Sequence, residues 1–106
     1  MKDRLRRDLT ELMLVPGLSG HEDRVRHSIA KRLGEAGNAS RSDRMGNLIA
    51  PFEGDADVPS VMLFTQMDQL GFVVRKIVDD GLIRVVRMGG VPERALASQA
   101  VLLCVD

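Results

Sequence analysis

The stretch that most constrains the fold is Val61-Met62-Leu63-Phe64-Thr65-Gln66-Met67-Asp68-Gln69-Leu70-Gly71-Phe72. The unbroken apolar run from Val61 to Phe64 has no polar face. It therefore reads as a strand buried on both sides, as in the middle of an α/β sheet. The run stops at Gln66 and Asp68 and then meets a glycine. Ligands of such sheets gather beyond the carboxyl ends of the strands. Positions i and i+2 of a strand face the same way, so Gln66 and Asp68 share one side of the strand end. They are the candidate site residues. Spacing alone leaves two uses open for them: lining the rim of an active site, or hydrogen-bonding loop backbone.

The flanking sequence supplies the other elements. Leu5, Leu9, Leu12 and Met13 recur at helical spacing with charged residues between them, and Pro16-Gly17 ends that pattern. Val25, Ile29, Leu33 and Ala36 form the stripe of a second helix. Ser19-Gly20-His21-Glu22 has the spacing of a capping box, with the Ser19 hydroxyl capping and Glu22 reaching back. Arg41 to Arg44 and Leu48 to Phe52 read as short strands around a Met45-Gly46-Asn47 turn. Phe72 to Val78 and Leu82 to Met88 form a hairpin across Asp79-Asp80-Gly81. Ala100 to Val105 is expected to be a last apolar strand. The Val61 strand wants helices on both faces, and both predicted helices precede it. The expectation is a chain that opens something larger, or one that needs a partner to finish its sheet.

Several functions are disfavoured by composition. Fifteen basic and fifteen acidic residues cancel, so no global field draws the chain to nucleic acid or to a membrane. With three phenylalanines, no tyrosine and no tryptophan, base stacking has few platforms. No apolar stretch approaches the roughly 20 residues that span a bilayer. Met1-Lys2-Asp3-Arg4 runs into a charged helix without a signal-like apolar core, so a cytoplasmic protein is expected. A single cysteine excludes an internal disulfide, and Cys104 among Val101, Leu102, Leu103 and Val105 reads as a small buried hydrophobe. His21 and His27 lie six apart, about 240° around a helix, whereas HExxH zinc sites need four. Gly89-Gly90 lacks the context of a phosphate loop.

Four segments, in order, resemble the glutamyl-aminopeptidase or tetrahedral aminopeptidase family of metal-dependent exopeptidases, some of whose members carry the endoglucanase name. Pro16-Gly17-Leu18-Ser19-Gly20-His21-Glu22 resembles PGxSGxE, and Asp43 to Ala50 resembles D-x-x-GNLIA. Val61 to Phe72 resembles VM-x-x-x-HMDEIGF, and Gly89-Gly90 through Leu96 to Val101 resembles GG…R-x-L…V.

The resemblance implies an α/β fold: the start of a mixed-sheet catalytic domain over residues 1–69, then the start of an inserted β-barrel dimerisation domain over 70–106. It implies a homo-oligomer built from dimers, up to a dodecamer, a peptide substrate, and two divalent metal ions, zinc or cobalt, bridged by an aspartate and a water. Gln66 stands where the family has its first metal-ligand histidine. Asp68 matches the aspartate that braces that histidine. The bridging aspartate, the glutamates and the later ligands would follow residue 106. A neutral amide is a poor zinc donor. With glutamine at 66, one metal site is expected to be weak or empty, and Asp68 to accept a hydrogen bond from the Gln66 amide. The leading expectation is the inactive N-terminal portion of a metalloaminopeptidase. The alternatives are a non-catalytic assembly module and a carbohydrate-linked hydrolase.

Overall fold

A computed structural model describes residues 1–105. The chain runs α1 (Lys2–Met13), α2 (Asp23–Glu35), β1 (Arg41–Ser42), β2 (Leu48–Ile49), β3 (Gly71–Ile77) and β4 (Ile83–Met88), with a short 3₁₀ turn at Glu93–Ala95. It is a small α/β arrangement of two helices and two antiparallel strand pairs.

Both helices lie where the apolar periodicity puts them. They are joined by charge: Arg32 of α2 donates to Asp8 at 3.1 Å and pairs with Glu11, both on α1. At the end of α2 the Asn38 amide bonds the Leu33 carbonyl at 2.8 Å, and the chain turns at Gly37, whose φ of +79° suits glycine. The start of α2 differs from the capping box. Its N-cap is Glu22, not Ser19, and the Glu22 carboxylate accepts the Gly20 amide at 2.9 Å. The reach-back of Glu22 is therefore present without a Ser19 cap.

β1 and β2 pair through Arg41↔Ile49 and Ser42↔Leu48. Asp43 organises the turn between them. Its carboxylate accepts the amides of Met45 and Asn47, each at 2.9 Å, and the Asn47 side chain at 2.8 Å. These bonds, the Asn47 side chain first, hold the Asp43 carboxyl below its ordinary range. β3 and β4 form the expected hairpin, from Gly71↔Met88 to Ile77↔Ile83, with an irregularity between Val74 and Lys76. Gly81, at φ +83°, closes its loop and bonds the Val78 carbonyl at 2.9 Å.

Two expected strands do not form. Val61 to Phe64 lies outside every ladder and is 82–91 % exposed. Residues 100–105 join no strand either, and Cys104 is exposed rather than buried. Strand identity here depends on a neighbour that supplies hydrogen bonds and covers both faces, and no described element does so. The mixed sheet is accordingly reduced to two antiparallel pairs and one parallel bridge between Leu18 and Gln69.

That bridge anchors the Thr65–Asp68 corner. The Gln69 amide donates to the Gly17 carbonyl at 2.7 Å, and the Gln69 side chain donates to the Met13 carbonyl at 3.1 Å. Gly17 is buried against Val25, which is only 4 % exposed and is the centre of the small core. A Cβ at Gly17 would overlap the Val25 side chain and lie 3.4 Å from the Met67 carbonyl oxygen.

Gly17→Ala should therefore destabilise the helical region by about 1–3 kcal/mol through overpacking. Gly54→Ala, at an open position, should be near neutral. Urea unfolding followed by helical circular dichroism compares the two, and equal midpoints would contradict the close approach. A second test concerns Asp43. Because its folded pKa is lowered, its contribution is present above the unfolded value and is lost as pH falls through the folded one. Carboxyl carbon NMR should place its midpoint below 3.8, and a midpoint at or above 3.8 would remove the turn's ionic contribution.

Candidate active-site cleft

Three sequence-distant pieces meet beside the Gln69 bridge. They are Glu22 at the start of α2, the Met45–Asn47 turn, and the Thr65–Asp68 corner, which together line a shallow cleft of about 200 Å³. The cleft brings Gln66 and Asp68 together, as the i, i+2 spacing requires. Both are exposed, and among the described residues neither side chain is held by a hydrogen bond or ion pair. The expected bond from the Gln66 amide to Asp68 is thus not formed. Loop tethering, the other use that spacing left open, falls to their neighbour Gln69, whose two hydrogen bonds anchor the corner to the end of α1 and to Gly17.

Glu22 and Asn47 are the lining groups that sequence reasoning did not assign to the site. Glu22 was legible as a reach-back residue and Asn47 as a turn residue. Their convergence on Gln66 depends on non-local packing that no local pattern encodes. The Glu22 carboxyl is lowered from its ordinary value, chiefly by the Gly20 amide and further by the charge of Arg26. The lining carries the carboxylates of Glu22 and Asp68, the amides of Asn47 and Gln66, and no cation. Such a surface attracts positive charge and offers oxygen acceptors.

The donors do not fit the two-ion centre that the resemblance implies. Among the described residues no group of three or more His, Cys, Asp or Glu gathers where an ion could be held. Gln66 offers an amide oxygen where zinc favours imidazole, thiolate or carboxylate. Glu22 is already engaged with the Gly20 amide. A larger cleft of about 640 Å³ lies between α1 and α2, but its walls include the ion-paired Asp8, Glu11 and Arg32 that join the helices. No helix among the described residues is long and apolar enough to cross a membrane.

Comparison with known proteins bears on this geometry. The family model described as M42 glutamyl aminopeptidase matches residues 46–106, which contain most of the cleft's turn and its whole Thr65–Asp68 corner. A lysyl aminopeptidase of Pyrococcus furiosus is 38 % identical over 94 residues, covering 88 % of this chain and 27 % of that protein. A putative aminopeptidase of Escherichia coli K12, SgcX, is 33 % identical over 99 residues, covering 92 % and 26 %. A glutamyl aminopeptidase of Lactococcus lactis is 34 % identical over 83 residues, covering 77 % and 22 %. The chain spans about a quarter of the length of the curated relatives it matches. No solved structure matches it. The family match covers more than half of the sequence and falls on the corner that Gly17 and Gln69 hold in place, and the chain belongs to the M42 glutamyl aminopeptidase family.

Proposed function

We propose that this chain carries one wall of the substrate site of an aminopeptidase, an enzyme that hydrolyses N-terminal peptide bonds. The observation that carries the reading is the convergence of Glu22 and the Met45–Asn47 turn on Gln66 and Asp68, the last two lying within the residues that match the family. A cleft lined by carboxylates and amides, with no cation, suits the ammonium end of a peptide. In this reading residues 1–69 belong to the catalytic α/β part and residues 70–106 open a β-rich assembly part. Cytoplasmic location and homo-oligomeric assembly complete the proposal, the latter supported by the uncovered apolar run at Val61 to Phe64.

The family's chemistry uses two divalent ions, zinc or cobalt, to activate water and polarise the scissile carbonyl. The donors among the described residues are too few and too weak for that centre. What this chain's own groups do is narrower. Asp68 and Glu22 set a negative potential at the strand end, and Gln66 and Asn47 offer amide groups that can orient a peptide. A second reading, a non-catalytic assembly module, is favoured specifically by the glutamine at 66.

Two measurements test these readings, and the second separates them. The 106-residue chain should release no measurable product from aminoacyl-p-nitroanilides with zinc or cobalt present, and turnover by it would contradict the partial-site reading. Gln66→His should raise zinc affinity by about tenfold, since one imidazole replaces an amide beside a carboxylate. Unchanged zinc uptake in that variant would instead favour the assembly module.

A further inference from the structure

The cleft wall opposite Gln66 and Asp68 is a turn, and two separate things must be fixed for it to serve as a wall. Its internal shape is fixed by the Asp43 carboxylate, which binds Met45 and Asn47 within the turn. None of those bonds reaches another element, so they leave the placement of the turn undetermined. Placement has a different source. Arg26 of α2 donates from Nη1 to the Gly46 carbonyl at 3.1 Å, across twenty residues of sequence. Its other terminal nitrogen pairs with Asp23, one helical turn back, and the side chain is only 24 % exposed.

The fit between Arg26 and Gly46 is close. A Cβ on Gly46 would lie 2.7 Å from Arg26 Nη1, and Gly46 has φ +87°, where a side chain is strained in any case. Glycine at 46 is thus required by the backbone, and a side chain there would have to displace the guanidinium. A planar guanidinium can serve two acceptors in fixed geometry at once, which a lysine ammonium does much less well. Arg26 does not itself line the cleft. It reaches the cleft through the turn, and by its charge through Glu22.

We infer that Arg26 is the positioning residue of the cleft, fixing the Met45–Asn47 turn to α2 and thereby setting its separation from Gln66 and Asp68. Its functional meaning rests on reading this cleft as the substrate site. The geometric claim stands apart from that reading and is tested without peptide or metal.

The test uses the whole 106-residue chain, isotopically labelled, as wild type, Arg26→Ala, Arg26→Lys and Gly46→Ala. The readouts are the cross-cleft NOEs between Met45–Asn47 and Thr65–Asp68, the internal NOEs of the Asp43 turn, and the helical NOEs of α2. In Arg26→Ala the cross-cleft signals should be lost while the other two sets persist. Lysine should not restore them, because the charge remains and the fork is gone. Gly46→Ala should lose the same signals, and combining it with Arg26→Ala should add no further loss. Cross-cleft signals that survive in Arg26→Ala would overturn the inference, as would their absence from the wild type. Loss of the α2 signals together with them would also overturn it, since Arg26 would then serve only helix stability. Failure of the aminopeptidase reading would appear elsewhere, in the zinc uptake of Gln66→His.

Discussion

At Gly17 the backbone passes so close to Val25 and to the Met67 carbonyl that no side chain can be accommodated. That approach brings the Gly17 carbonyl within 2.7 Å of the Gln69 amide, and the parallel bridge between Leu18 and Gln69 follows from it. Much of the cleft's geometry depends on this joint. It presses the end of the Val61–Asp68 segment against the loop that leads into α2, so that Gln66 and Asp68 face Glu22. It also buries Val25, the one well-buried apolar side chain among the described residues. A helix with a single buried residue has little hydrophobic stabilisation of its own. The polar ties of Gln69, Arg26 and Arg32 therefore matter more here than in a domain with a large core.

The surface shows how much remains to be covered. The chain exposes 9885 Å², whereas a compact monomer of 11.7 kDa exposes about 5,900 Å². Its radius of gyration is 17.9 Å, against about 13 Å for a compact domain of this length. Large apolar groups are among those left exposed, including Val61 to Phe64 and Val101 to Leu103. An open strand edge of that composition pairs with whatever chain is at hand. The cleft lies at the carboxyl end of this uncovered apolar run, whose backbone joins no ladder.

Local signals in the sequence were sufficient for some elements and not for others. α1, α2 and the β3–β4 hairpin were legible because apolar spacing, Pro16-Gly17 and Asp79-Asp80-Gly81 act within a few residues. The strand at Val61 to Phe64 was read from its composition. Its ladder needs a non-local neighbour, which is why no strand forms there. The same reasoning misjudged Cys104, whose apolar neighbours predicted burial that nothing in the described chain supplies. At the site, the pairing of Gln66 with Asp68 was legible from strand periodicity. The roles of Glu22, Asn47 and Arg26 were not, because each depends on where α2 sits relative to the 43–47 turn. Gln69 anchors the corner through contacts that no local pattern encodes.

Family membership and geometry therefore meet at one small joint. Its most direct test is the trans-hydrogen-bond scalar coupling between the Gln69 amide nitrogen and the Gly17 carbonyl carbon in the labelled chain. A measurable coupling, with slow exchange of the Gln69 amide, is the predicted result. No coupling, and a Gln69 amide that exchanges as fast as those of Leu63 and Phe64, would mean that the corner is not held against α2 and that the cleft does not exist.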